Sequence, residues 1–287
     1  MTLYGEIAFM RTFVKKILTV AFFLAAGTGA LFAGGKVRFQ QTYPVSSVFG
    51  VNIDLLSGEI DVALWNRNEI RVTVVSDYSD YPVPELSGGV LSCEDSSGSR
   101  HKCLVELKVP ESFYAQSAYG GWTLSTMTGA INASKLWGDT LYVETMSGSI
   151  TLSKCEAQIA DVTSNTGRVT LSQCIISDRV NLESDTGSIN FDGVASGVTA
   201  ESDTGSINIS LDQPPVYDCD ISCGTGSITI SLPENPGFKF VFATGTGSVF
   251  NAFTGYSGGR SGIDTYGAGY VILRAETDTG SIRILRK

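Results

Sequence analysis

Histidine and positive charge are both scarce in this 287-residue chain. The one histidine is His101, and 20 Lys and Arg against 29 Asp and Glu give a net charge of −9. A single imidazole argues against zinc sites of the HExxH type and leaves a Ser-His-Asp triad dependent on one residue. Without a basic excess, the chain lacks the charge that binds a nucleic-acid backbone. We therefore assign no catalytic residue and no cofactor, and we expect no nucleic-acid partner.

Charged residues are also few, at 17%, whereas glycine is abundant, with 32 residues. The apolar fraction of 43% is within the range of folded proteins and excludes a disordered chain. Many glycines with few charges are typical of a turn-rich, all-β fold.

Residues 1–33 have the pattern of a signal peptide, and Met10 is an alternative start. Arg11, Lys15 and Lys16 precede an apolar run that ends at Ala33, a small residue suited to cleavage before Gly34. The residue directly after that point is Gly34 and not a cysteine, so a lipid anchor is not expected. The alternative is an uncleaved membrane anchor, for which the apolar run is short. The sequence predicts an exported protein, periplasmic, surface-located or secreted, with no membrane span after cleavage.

A short Ser/Thr-Gly-Ser-Ile signature recurs along the chain. Its glycines, from Gly129 to Gly280, are 19, 19, 20, 18, 21, 21 and 33 residues apart, and an outlying copy contains Gly58. Such regular spacing is typical of a solenoid in which each repeat forms one coil. The predicted turn glycines are Gly58, Gly129, Gly148, Gly167, Gly187, Gly205, Gly226, Gly247 and Gly280.

Alternating apolar residues flank each turn and predict two short strands per coil of about 18–21 residues. One coil cannot bury its apolar face alone, so successive coils must stack with parallel strand pairing. A small residue lies three positions before each turn glycine from Gly129 to Gly280 and predicts an inward-facing ladder: Thr126, Thr145, Ser164, Ser184, Ser202, Cys223, Thr244 and Thr277.

The repeats divide the chain into regions. Residues 34–121 are less regular and predict one early coil with an irregular N-terminal β cap, and residues 122–287 form the solenoid. A glycine-rich insertion at 251–269 fills the widest interval and predicts a projecting loop. Its aromatic residues indicate either a recognition surface or a segment that covers the last coil. Charges in the last strand, 281–287, are expected to protect an open sheet edge.

Six cysteines follow the signal peptide, and an even number in an exported chain favours disulfides. Cys155 and Cys174 occupy matching places one coil apart, which predicts a bond between them. The remaining local pairs are Cys93–Cys103 and Cys219–Cys223. The alternative is a ladder of buried free thiols.

These repeats resemble the bacterial putative-adhesin domain family of exported β-solenoid domains. The resemblance covers about residues 45–287: an opening 52–60, a middle strand that ends at 107–111, and the serial Ser/Thr-Gly-Ser-Ile coils. It implies a right-handed parallel β-helix in the cell envelope and a role in adhesion. It supplies no catalytic residue. The cysteines and the insertion near residue 258 depart from the family pattern.

Two acidic motifs have alternative interpretations. Asp-Thr-Gly, at 185–187, 203–205 and 278–280, is the tripeptide of aspartic proteases, but it recurs in phase with the other turns, so the turn explains it. Glu183, Asp185, Glu201 and Asp203 are a weak candidate calcium cluster. A solvated acidic face is the simpler interpretation, because the calcium-binding nonapeptide of β-rolls is absent.

His101 is expected to be an exposed loop residue.

Three function classes remain. The first is a non-enzymatic envelope or surface protein, an adhesin whose rigid acidic solenoid binds a surface protein or glycan. The second is a carbohydrate-active β-helix enzyme that acts on envelope polysaccharide through acidic groove residues. The third is a purely structural periplasmic protein.

Overall fold

The computed structural model describes residues 35–95 and 102–287, which contain β-strands and two short 3-10 helices, Val45–Ser47 and Ser117–Tyr119. The predicted signal peptide and His101 lie outside these residues. The all-β class is confirmed for the described part of the chain.

The strands are numbered here in chain order. The first seven precede the regular repeats: β1 Lys36–Pro44, β2 Gly50–Leu55, β3 Gly58–Trp65, β4 Glu69–Ser76, β5 Glu85–Ser87, β6 Val90–Glu94 and β7 Cys103–Pro110. The next eight form the middle of the stack: β8 Trp122–Thr128, β9 Ile131–Ser134, β10 Thr140–Ser147, β11 Ile150–Ser153, β12 Glu156–Thr166, β13 Val169–Thr186, β14 Ile189–Thr204 and β15 Ile207–Leu211. The last eight are β16 Cys219–Thr225, β17 Ile228–Leu232, β18 Phe238–Thr246, β19 Val249–Asn251, β20 Tyr256–Ser257, β21 Ser261–Tyr266, β22 Val271–Thr279 and β23 Ile282–Arg286.

Each coil has one strand before its turn glycine and one after it, as the alternating pattern predicts. Pre-turn strands β8, β10 and the later part of β12 pair in parallel and in register. Post-turn strands β9, β11 and the start of β13 do the same. The whole sheet is mixed, because antiparallel pairs occur towards both ends: β1–β4, β4–β7, β5–β6, β18–β21 and β19–β20.

The turn glycines stack on one another as predicted. The Gly205 N–H donates to the Thr225 carbonyl at 2.9 Å, and a Cβ on Gly205 would lie 2.0 Å from the Gly187 oxygen. The Gly205 φ of +152° is also one that side chains rarely adopt. Glycine is therefore required by close approach as well as by backbone conformation.

The predicted inward ladder is confirmed and has a specific role. Each member is buried, and its side chain donates to the turn-glycine carbonyl of a neighbouring coil. Ser184 donates to Gly167 at 3.0 Å, and Thr244 donates to Gly280 at 2.8 Å. The short side chain thus joins adjacent turns across the stack.

The last coil does not lie at the end of the stack. Strand β22 pairs in parallel with β16 on one side and β18 on the other, and β23 lies between β17 and β19. The residues 271–286 are therefore inserted between two coils that precede them in sequence. The predicted role of the last strand's charges, protection of an open edge, is wrong, because β23 has a partner on both sides.

The first coil is inserted in the same way. Strand β2 lies between β6 and β8, and β3 lies between β7 and β9. Strands β6 and β7 thus stack outside β2 and β3, although they follow them in sequence. Strand β4 then continues the sheet as the antiparallel partner of both β7 and β1.

The interior is one continuous apolar core. Equivalent residues stack from coil to coil, and one column is fully buried: Ile131, Ile150, Val169, Ile189, Ile207, Ile228 and Ile282. Burial of each such side chain contributes about 1.5–3 kcal/mol relative to exposure. The core aligns the coils, and it therefore fixes where their outward side chains lie.

Candidate functional site

Two sets of outward side chains, one on the pre-turn strands and one on the post-turn strands, form the surfaces on which this fold can build a site. On the pre-turn strands, residues that alternate with the core point outwards, and we name these residues the pre-turn face. It is rich in carboxylates: Glu144, Asp161, Glu183, Asp185, Glu201, Asp203, Asp220, Glu276 and Asp278.

The predicted calcium cluster lies on this face. Glu183 and Glu201 are Cα partners on β13 and β14, so the structure brings them side by side. Within residues 35–95 and 102–287, however, no group of three or more His, Cys, Asp or Glu side chains could hold a metal ion. The arrangement agrees with a solvated acidic face, and the calcium assignment gains no support. The Asp-Thr-Gly aspartates also lie here, exposed, in the turns.

The most structured acidic group on the pre-turn face lies on β10 and β12. The Tyr142 hydroxyl donates to Glu144 Oε2 at 2.5 Å, and this bond, with burial, raises the pKa of Tyr142 to about 12. Burial and the nearby Glu144 carboxylate raise the pKa of Asp161 above its ordinary value. A carboxyl group with a raised pKa can act as a general acid, and glycoside hydrolysis adds a second carboxylate beside it.

We name the outward residues of the post-turn strands the post-turn face, which has a different composition. Its first column is Ser149, Arg168, Ser188, Ser206, Ser227 and Ser281. Its second column is Thr151, Thr170, Asn190, Asn208, Thr229 and Arg283. Its third column is Ser153, Ser172, Asp192, Ser210, Ser231 and Leu285. Hydroxyl and amide groups dominate it. This face was not predicted, although the aligned repeats show that Arg168 replaces the serine of the repeat signature.

The six cysteines are buried and free in the structure. Cys155 and Cys174 lie on adjacent coils, and the interaction of their thiols, together with burial, raises the pKa of the Cys155 thiol. Burial also raises the pKa of Cys103 to about 12, and Cys93 lies near it. The bonds predicted for these two pairs are not present and stay predictions.

The predicted Cys219–Cys223 pairing is wrong. Both residues belong to the extended strand β16 and point inwards, four residues apart. That separation is about 13 Å along a strand, well beyond the span of a disulfide.

The glycine-rich insertion is not a projecting loop. Its strands β20 and β21 pair antiparallel with β19 and β18, so the insertion covers the end of the stack. Phe253 is buried and packs edge-to-face on Phe238, with ring centroids 5.4 Å apart. Tyr266 lies 5.0 Å from Phe253 in the same cluster. Of the two alternatives, these aromatic residues support the covering segment, and Tyr270, 90% exposed, is outside the cluster.

In the described ranges 35–95 and 102–287, no helix is long and apolar enough to cross a membrane. The stacked coils define a solenoid-like all-β domain with two chemically distinct outward faces. The chain belongs to the family described as Toastrack DUF4097, whose model matches residues 85–285. The predicted family is thereby confirmed.

Solved structures are similar to this chain at low sequence identity. A putative adhesin from Bacteroides fragilis NCTC 9343 is 12% identical, covers 87% of this chain and 97% of its own, and has a TM-score of 0.50. A putative adhesin from Parabacteroides distasonis ATCC 8503 is 13% identical, with the same coverages and a TM-score of 0.45. A putative lipid binding protein from the latter organism is 14% identical, covers 88% and 98%, and has a TM-score of 0.42. No curated protein matches the chain.

Proposed function

We propose that this chain is a non-enzymatic exported protein of the cell envelope or surface that binds its partner through an outward face of the solenoid. The observation that carries the proposal is the register of the coils, which holds outward side chains in straight columns about 4.8 Å apart. A rigid array of this kind needs little ordering on binding, which favours recognition of an extended partner. An adhesin is the role that this arrangement supports best.

We also propose that the chain is cleaved on export and that its coils have one winding direction. Cleavage at residue 33 would release residues 34–287, organised as the early coil with its cap and the repeats from residue 122. The coils are proposed to wind right-handedly, because crossovers between parallel strands of one sheet are almost always right-handed.

Surface labelling tests the proposal. Lys135 and Lys154 are exposed, so a membrane-impermeant amine reagent should label the chain in intact cells if it lies outside. Labelling only after the outer membrane is permeabilised, with the inner membrane intact, would place the chain in the periplasm and exclude the adhesin. An envelope scaffold would then be the role to test. A cytoplasmic protein that stays unlabelled in intact cells is the control.

A second candidate function is a carbohydrate-active enzyme, which the Glu144 and Asp161 pair favours. Asp161, with its raised pKa, would be the general acid, and Glu144 would be the second carboxylate. Release of reducing sugar from envelope polysaccharide, abolished by Asp161→Asn but not by Asp220→Asn, would support it. No release from any envelope fraction would exclude it.

A further inference from the structure

The post-turn face differs in charge from the rest of this acidic protein. From Ser149 to Ser231 its outward side chains are hydroxyls and amides, with few charged groups among them. Asp192 is one, and Lys287 neutralises it at 2.9 Å. Each hydroxyl or amide can both donate and accept a hydrogen bond, as a sugar hydroxyl can. The face therefore offers uncharged hydrogen-bonding groups at regular intervals.

Side chains on this face already interact from coil to coil. Asn208 Nδ2 donates to Asn190 Oδ1 at 3.1 Å, and Ser210 Oγ donates to Asp192 Oδ1 at 2.9 Å. These bonds hold polar groups in fixed positions along the stack. A ligand would meet a pre-arranged row of donors and acceptors, which lowers the entropy cost of binding.

Two arginines lie on the same face. Arg168 and Arg283 are both exposed, and among residues 35–95 and 102–287 neither has an ion pair, a side-chain hydrogen bond or a ring contact. Four coil steps separate them, through β14, β15, β17 and β23, which is about 19 Å. The two guanidinium groups thus flank the rows of hydroxyls and amides.

The surroundings of each arginine suit a sugar ligand. Arg168 lines a shallow depression of about 440 Å³ with Ser149, Thr151 and Thr170. Arg283 is the Cα partner of Phe250, whose side chain is 38% exposed. A guanidinium binds a carboxylate strongly, and hydroxyls or an aromatic ring beside it can contact the sugar that carries the carboxylate.

We propose that the post-turn face binds a carboxylated polysaccharide, with Arg168 and Arg283 as partners for two sugar carboxylates. Charge selects this face: the pre-turn face would repel a polyanion, whereas the post-turn face has unpaired positive charge among neutral hydrogen-bonding groups. The inference rests on the proposed binding function and names its ligand class and its site.

The test uses the purified chain and three probes: polygalacturonate, alginate and hyaluronan. Binding of at least one is expected by calorimetry, weakening as salt rises, and neutral dextran should bind more weakly. The double variant Arg168→Gln/Arg283→Gln should lose at least about tenfold in affinity, because two charge-assisted contacts disappear. The matched control is Arg179→Gln, an exposed arginine of β13 outside the post-turn face, which should bind like the parent.

Several outcomes would overturn the proposal. One is that none of the three probes binds, and another is that Arg179→Gln loses as much affinity as the double variant. A third is that polyglutamate binds as tightly as the polysaccharides, which would mean that charge alone is recognised. Thermal melting should show that the double variant folds, since both arginines are exposed. If surface labelling succeeds while all three probes fail, the proposed function stands and only the ligand is wrong.

Discussion

Cys223 Sγ donates a hydrogen bond to the Gly205 carbonyl oxygen at 2.9 Å, at a position where other coils have a serine or threonine hydroxyl. Ser202 makes the equivalent contact with Gly187 at 3.0 Å, and Thr277 makes it with Gly226 at 3.0 Å. The position therefore requires a short side chain with a donor, whether hydroxyl or thiol. This contact, repeated along the stack, joins each turn to its neighbour.

Loss of one ladder hydroxyl should destabilise the stack. In Ser184→Ala the Gly167 oxygen loses the bond at 3.0 Å, and we expect the free energy of unfolding to fall by about 1 kcal/mol. Ser184→Cys should lose less, because Cys223 shows that a thiol can make the contact. Urea denaturation measures both. The matched control is Ser188→Ala, a change at an outward serine of the post-turn face; equal losses at the two positions would contradict the ladder's role.

A turn glycine should tolerate no side chain. Gly205→Ala places a Cβ 2.0 Å from the Gly187 oxygen, so the turn must move, and we expect a loss of roughly 2–4 kcal/mol or failure to fold. Gly258→Ala separates clash from conformation, because Gly258 has φ +125° but no atom within 4 Å of the point that a Cβ would occupy. It should lose only about 1 kcal/mol. If thermal or urea unfolding shows that the two variants lose similar stability, the close approach between turns contributes nothing to the requirement for glycine.

The repeat made the coil predictable. A glycine every 18–21 residues and a small residue three positions earlier were sufficient to predict stacked turns and the inward ladder, because both are local requirements of one coil. The order of the coils was not predictable in this way. Gly280 carries the same signature as Gly247. Nothing in the spacing shows that the coil of Gly280 lies between the coils of Gly226 and Gly247 rather than after both.

The binding faces were equally hard to predict. Arg168 and Arg283 are far apart in sequence, and they lie four coil steps apart rather than five because β23 is inserted beside β17. The aromatic residues of the insertion were visible, but their burial against Phe238 depends on antiparallel pairing that composition does not encode.

The inserted last coil should hold the end of the stack together. Strand β18 has only β22 and β21 as its sheet partners among the described strands, so removal of residues 271–287 takes away one side of its hydrogen bonding. We expect fast amide exchange in β18 and β19, with β10 and β12 still protected, by hydrogen-exchange mass spectrometry. Removal of Lys287 alone is the control, since it leaves β22 and β23 intact. Continued protection of β18 in the long truncation would contradict the inserted topology.

The last prediction concerns Cys155 and Cys174, two buried cysteines on adjacent coils whose thiols interact. In protein recovered from an oxidising compartment we expect them to form a disulfide, which closes a short loop and adds about 3 kcal/mol to the stability of the stack. Alkylation of the denatured, unreduced protein should leave these two unmodified. Cys219 and Cys223 serve as the internal comparison, because their separation on β16 prevents a bond between them. Full alkylation of Cys155 and Cys174 would instead establish a ladder of buried free thiols. In that case, reduction should leave the unfolding midpoint unchanged. If the disulfide is present, reduction or the Cys155→Ser substitution should lower the midpoint.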